Sequence, residues 1–228
     1  MNTARSTLAG SGTQTSAIAF GGDTGPAVQS LTELYDGTSW TVSSTMATAR
    51  DRLGGAAATA PAAVAFGGTT GSTTTASEEF NSSATAVTGG AWASSGALPA
   101  VNNGLAGAGI KTAALGFGSR TPGQDQATYE YNGFSWSSGG SLGTPIGNGN
   151  GAGTQTAGLA FGGGPTGTAS NDSREYNGSS WTAGNSMNNT RNLGAGTGTQ
   201  TAAMVSHGQP TQTPVSYTHL TLPTIYPV

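Results

Sequence analysis

The sequence predicts an all-β protein built from repeated four-stranded sheets, a β-propeller of four complete blades and part of a fifth. Three observations carry that expectation. Phe20, Phe66, Phe117 and Phe161 lie 46, 51 and 44 residues apart, and Trp40, Trp92, Trp136 and Trp181 follow them at intervals of 52, 44 and 45. The run before each Phe alternates large apolar residues with small ones, which is the period of a strand with one crowded face. Between an aromatic and the Trp sits a short turn sequence. Four antiparallel strands in a repeat of about 45 residues is the pattern of a propeller blade.

Taken in order, the first strand of a unit is expected near Leu8 to Gln14. The second is Thr15-Ser16-Ala17-Ile18-Ala19-Phe20, matched by Thr156-Ala157-Gly158-Leu159-Ala160-Phe161, and it ends on a glycine pair. The third surrounds an aromatic, and the fourth starts at the Trp. Tyr35-Asp36-Gly37-Thr38-Ser39-Trp40, Tyr131-Asn132-Gly133-Phe134-Ser135-Trp136 and Tyr176-Asn177-Gly178-Ser179-Ser180-Trp181 join them. Asn-Gly and Asp-Gly accept the positive φ angles of a type I′ turn, so each reads as a tight hairpin. The second unit departs, because twelve residues separate Phe80 from Trp92 in place of five. Six residues after each Trp comes Met46, Leu98, Leu142 or Met187, and Arg50 and Arg191 follow their Met by four, as Arg5 follows Met1. Those arginines and the acids before the aromatics (Glu78, Glu79, Glu130, Glu175) read first as solvated surface charge, with ion pairs between blades as the alternative.

In its Gly21-Gly22, Gly67-Gly68 and Gly162-Gly163 pairs, its Tyr and Trp positions and Arg5, Arg50 and Arg191, the chain resembles the kelch repeat family. The third unit carries Gly118-Ser119 instead, and the Tyr-to-Trp spacing is one shorter than the family's. The resemblance covers nearly all of residues 1 to 208 and implies a kelch-like β-propeller. Its glycines and aromatics are expected to be structural: glycine permits close approach of blades, and aromatic rings fill the space between them.

The chain has 228 residues, with 39 Gly, 10 Pro and only 7% charged residues. Such a composition fits either disorder or a turn-rich β fold. The regular placement of aromatics decides for a fold. Seven basic residues against ten acidic ones, with Lys111 the single lysine, give no electrostatic footprint for nucleic acid or an anionic membrane. No apolar run approaches the roughly 20 residues of a spanning helix. No signal peptide is read at the N-terminus, whose residues fall into the repeat register.

Catalytic chemistry finds few candidates. There is no Cys, and the two His residues are His207, in a degraded unit, and His219 in the tail, so neither a triad nor a metal set is expected. The copper-binding oxidases of the kelch-like group use Cys, His and Tyr ligands, which this chain does not match. Asp36-Gly37-Thr38-Ser39-Trp40 resembles the Asp box of sialidases but is one residue short. Gly147-Asn148-Gly149-Asn150-Gly151 lacks the Lys-Ser/Thr of a phosphate loop. No enzyme activity, cofactor or metal is expected.

From Val215 the composition changes, with Val-Ser-Tyr-Thr-His-Leu-Thr-Leu-Pro-Thr resembling a translated sequencing adaptor. The domain reading is therefore residues 1–214 as propeller repeats and 215–228 as a non-native tail. Met1-Asn2-Thr3-Ala4-Arg5 aligns with Met46-Ala47-Thr48-Ala49-Arg50, which suggests a fragment of a longer repeat protein.

Function is then expected in the loops, where the units differ most. The connections from second to third strand share one face with those from fourth to first. That face holds the candidate ligand-binding residues Asp23, Thr24, Thr69, Thr70, Arg120, Gln124, Asp125, Asn171 and Asp172. Their hydroxyl, amide and carboxylate groups suit a polar ligand. The leading expectation is a non-catalytic binding or structural module of a virion, such as a phage tail or fibre, or of an extracellular surface appendage, with a glycan or protein surface as partner. The alternatives are an intracellular kelch-type protein-interaction adaptor and, behind it, a glycan-active enzyme.

Overall fold

A computed structural model describes residues 1–25, 27–82, 90–121, 126–206, 208 and 216–218. The chain forms four four-stranded antiparallel sheets and a partial fifth, arranged as propeller blades. Blade 1 comprises β1 (Ala9–Thr13), β2 (Ser16–Phe20), β3 (Thr32–Tyr35) and β4 (Trp40–Ser43). Blade 2 comprises β5 (Gly54–Thr59), β6 (Ala62–Phe66), β7 (Ser77–Asn81) and β8 (Ala91–Ser94). Blade 3 is β9 (Ala106–Ile110), β10 (Ala113–Phe117), β11 (Thr128–Tyr131) and β12 (Trp136–Ser138). Blade 4 is β13 (Asn150–Gly153), β14 (Gly158–Phe161), β15 (Ser173–Tyr176) and β16 (Trp181–Ala183). The fifth sheet holds β17 (Ala195–Gly198), β18 (Ala203–Ser206) and β19 (Ser216–Thr218). One 3₁₀ turn, Pro165–Gly167, is the helical structure among the described residues.

Every complete blade pairs its strands in sequence order, and its Trp lies directly opposite the aromatic of the third strand: Tyr35 with Trp40, Phe80 with Trp92, Tyr131 with Trp136, Tyr176 with Trp181. The long insertion after Phe80 therefore leaves this register untouched; its residues 83–89 lie outside the described residues. In the fifth sheet Thr218 stands opposite Ala203, the station that Tyr or Phe holds in the blades.

The alternation of small and large residues gives each blade two unlike faces. Ile18 and Phe20 look toward blade 2, while Ala63 and Ala65 of blade 2 receive them. Val64 and Phe66 meet Ala114 of blade 3, and Leu115 and Phe117 meet Ala160 of blade 4. Each Phe ring lies over a glycine of the next innermost strand. A Cβ on Gly55 would sit 2.7 Å from Phe20 Cζ, and one on Gly196 2.7 Å from Phe161 Cζ, so these positions exclude any side chain. The Trp of the following blade completes the cage: ring centroids are 5.1 Å apart for Phe20–Trp92, 4.7 Å for Phe66–Trp136 and 5.0 Å for Phe117–Trp181. Its indole N–H donates to the first hydroxyl of the preceding blade's third strand, Trp92 to Thr32 at 3.0 Å, Trp136 to Ser77 at 3.0 Å and Trp181 to Thr128 at 2.9 Å.

The linkers between blades carry the arginines. Arg50 binds blade 1 through its backbone, its N–H donating to Gln29 and its carbonyl accepting from Gly22. Its side chain reaches into blade 2, donating to the carbonyls of Gly67 and Ala76 and to Glu78 at 2.9 Å. Arg5 makes the same three bonds to Gly21, Leu31 and Glu33. Both pairs have fully or almost fully buried side chains. These charges are therefore not solvated surface groups: the alternative, an interblade ion pair, holds at Arg50–Glu78, and the partner of Arg5 is Glu33, which the sequence reading did not single out. Where the third unit has Asn102 at the arginine's station, Tyr129 replaces the glutamate, and the two side chains bond at 3.1 Å.

Candidate functional site

The connections from second to third strand and from fourth strand to the next blade's first strand do share one face, because the linkers bond to the long loops: Ser6 with Asp23, Asp51 with Thr69, Gly147 with Gly164 and Ser170 with Arg191. At the centre of this face the axial channel opens into a depression of ≈ 440 Å³. Its rim contains one residue per repeat, Thr7, Arg52, Gly104, Asn148 and Leu193, each just before an innermost strand. All five have left-handed backbones, with φ of 52°, 50°, 65°, 54° and 54°. Only glycine adopts that conformation without steric cost, so four non-glycine residues in it are unusual. Hydrogen bonds from blade to blade hold them there. Arg52 N–H donates to Thr7 O at 2.9 Å, Gly104 to Arg52 at 2.9 Å, Asn148 to Gly104 at 3.1 Å and Leu193 to Asn148 at 2.9 Å.

The rim side chains differ where the backbone repeats. Arg52 is partly exposed and pairs with Asp51 at 3.0 Å. Asn148 brings an amide and Leu193 an exposed isobutyl group, while the Thr7 hydroxyl is turned inward and buried. Below them Leu8, Leu53 and Leu105 form an apolar floor. The arrangement offers a hydrogen-bonding ring over a nonpolar base, a common build for a small-ligand site.

Most of the sequence-predicted residues surround this mouth without lining it. Asp23 accepts the Gly25 N–H at 2.6 Å in a turn of its own loop. Thr24 bonds Ala27 O and accepts from Gln29. Thr69 donates to Asp51 Oδ1 at 3.2 Å, fastening the loop to the linker. Asn171 donates to Met187 O at 3.3 Å, and Asp172 acts through its backbone, accepting from Gly162 and donating to Ser170 Oγ. Thr70 and Arg120 are the exposed members of the set, and Arg120 packs beside Gly104 and Gly167 near the rim. Gln124 and Asp125 lie outside the described residues. The rim itself was missed. Its signal in the sequence is positional, the second residue after Arg5, Arg50, Asn102, Ile146 and Arg191.

A second set of polar contacts sits between blades. Tyr131 donates to Glu79 of the preceding blade at 2.7 Å, and Tyr176 to Glu130. Burial, with the neighbouring carboxylate, pushes both phenols up to about 12. Blade 2 has Phe80 in place of Tyr, and the opposing residue of blade 1 is Leu34 in place of Glu. At these three interfaces phenol and carboxylate come and go together. In the hairpin β3–β4, Asp36 accepts the N–H groups of Ser39 and Thr38, which hold its carboxyl below the usual value. Among the described residues no three His, Cys, Asp or Glu side chains gather as a metal set.

No protein-family model and no curated protein matches the chain, so its assignment as a propeller stands on the repeated sheets and the contacts between them.

Proposed function

We propose that the chain is a non-catalytic recognition module of an extracellular or virion appendage, with a glycan as ligand, seated at the axial mouth on the long-loop face. One observation carries this reading: five equivalent backbone positions converge on a single depression and present different side chains there. Arg52 and Asn148 supply donors and an acceptor for sugar hydroxyls, while the leucine floor suits the apolar face of a pyranose. The composition, rich in Gly and poor in charge, favours a surface component of the kelch-like type. A glycan array probed with the intact chain and with Arg52→Ala and Asn148→Ala tests it. Binding that falls at least tenfold in both variants and persists in Asp23→Ala supports the mouth. Binding lost only in Asp23→Ala would move the site to the outer loops, and binding of no glycan would leave a structural role.

A further inference from the structure

Every blade has a receiving face made of the same parts, and one such face stands open. In blade 2 it is Gly55, Ala63, Ala65, Phe80 and Trp92, filled by Phe20. In blade 3 it is Gly107, Ala114, Gly116, Tyr131 and Trp136, filled by Phe66. The corresponding residues of blade 1 are Gly10, Ala17, Ala19, Tyr35 and Trp40. Here Gly10 is exposed and Ala17, Tyr35 and Trp40 are half-buried, whereas Ala63, Ala114, Phe80, Tyr131 and Tyr176 are all 0% exposed. Trp40 stacks on Tyr35 at 5.1 Å, as Trp136 does on Tyr131 at 4.9 Å. A cavity of ≈ 680 Å³ along the channel spreads across Gly10, Ala17, Ala19 and Trp40, where the neighbours' Phe rings would put a ring. The cage is assembled and empty.

The three filled interfaces that carry a Trp also state what fills it. Trp136 and Trp181 donate to Ser77 and Thr128, and two residues after each hydroxyl stands the carboxylate, Glu79 or Glu130, that accepts from Tyr131 or Tyr176. At the one interface where the receiving ring is Phe80, that residue is Leu34. Blade 1 presents Tyr35, with a hydroxyl to satisfy. We propose that the open face of blade 1 is a docking surface for one further blade of this repeat. That blade's second strand ends in Phe, and its third strand reads Ser/Thr-x-Glu. Phe enters the space over Gly10, Ala17 and Ala19, the hydroxyl accepts from the Trp40 indole N–H, and the carboxylate accepts from Tyr35. A second copy of this chain does not meet the requirement: its filled interfaces already occupy Phe20, Phe66, Phe117 and Phe161, and the fifth sheet has Ser206 at the Phe station.

The test appends a blade of known chemistry. A duplicate of residues 102–141, which brings Phe117, Thr128 and Glu130, is placed directly before Met1, so that Met1 takes the place of Leu142. Acrylamide quenching of Trp40, taken as the difference from the matched Trp40→Phe protein, is expected to fall at least twofold on addition of the blade, and the midpoint of thermal unfolding to rise by several degrees. Replacing the duplicate's Phe by Ala, or its Thr and Glu by Val and Leu, should remove most of both effects. In the chain without an added blade, Ala17→Phe should shift the midpoint by less than about a third of the loss in Ala114→Phe, because only the latter position is filled. Unchanged quenching in the fusion, an added blade indifferent to loss of its Phe, or equal damage from Ala17→Phe and Ala114→Phe would each overturn the proposal. So would a dimer of the unmodified chain in which Trp40 is already protected, since a second copy would then be the occupant.

Discussion

Replacing Arg50 by Met removes a cation that joins two blades and leaves its near-isosteric stem. Glu78 then remains 3% exposed with one bond, from the Ala47 N–H at 2.7 Å, and the carbonyls of Gly67 and Ala76 lose their shared donor. Burial already depresses the Arg50 guanidinium and Glu78 pulls it back, so the pair is held by mutual compensation of desolvated charges. Breaking a buried pair from one side costs about 3–5 kcal/mol. The Gly67 carbonyl, left without that donor, is part of the cost, while the Ala76 carbonyl keeps the Gly67 N–H, and we set the loss at about 4 kcal/mol. In a chain of this size about 1 kcal/mol moves the unfolding midpoint by roughly 2–4 °C, so the shift is on the order of 8–16 °C. The double variant Arg50→Met/Glu78→Leu has no stranded charge and should recover at least half of it. Calorimetry together with urea unfolding followed by Trp fluorescence reads both quantities. A loss below about 1 kcal/mol for Arg50→Met, or a double variant no more stable than the single one, would show that the linker backbone and not the ion pair joins the blades.

Tyr131→Phe should cost about 1 kcal/mol in urea unfolding, because Glu79 loses the phenol but keeps Lys111 at 3.2 Å, whereas Tyr131→Phe/Glu79→Leu, which reproduces the Phe80–Leu34 contact, should cost no more than the single variant. Because Tyr131 and Tyr176 titrate near 12 when folded and near 10 when free, their contribution to stability is complete below pH 10 and is lost as pH rises toward 12. Absorbance at 295 nm against pH, alongside circular dichroism, should show ionisation of these two coinciding with unfolding, and the Tyr131→Phe/Tyr176→Phe variant should lack that component. Gly55→Ala drives a methyl to 2.7 Å from Phe20 Cζ and should destabilise by about 1–3 kcal/mol in the same unfolding assay, and Gly90→Ala should act at the same interface by displacing Phe80.

The blade grammar was legible because it is one-dimensional. Phe20 to Phe161 and Trp40 to Trp181 keep their register, since each must reach the same cage, and the Ala–Ile–Ala–Phe alternation reports two faces directly. Contacts formed across the sheet were less visible. Glu33 lies 28 residues from Arg5, and nothing in the sequence around either residue marks it; only the repeat of the same separation at Arg50 and Glu78 could have pointed there. The link between Leu34 and Phe80, and between Glu79 and Tyr131, was likewise written in the internal repeats but needs the neighbouring blade to be read. The candidate site was legible as a face and not as residues. Asp23, Thr24 and Thr69 are chemically suited to ligands, but the same groups satisfy their own turns first. Thr7, Arg52 and Leu193 gave no warning, because left-handed φ is expected of glycine and their restraint comes from bonds between blades.

That restraint separates two things a protein usually has to change together. The bonds that carry Thr7, Arg52, Gly104, Asn148 and Leu193 run through main-chain atoms, so the geometry of the mouth is written in the peptide backbone and its chemistry in the four side chains that this backbone presents. Single substitutions there alter what the mouth offers while the cages of Phe and Trp stay as they are. A family of such rings can therefore drift from one ligand to another by point changes at four addresses, while Gly104, where a Cβ would sit 2.5 Å from Asn148 Oδ1, stays fixed.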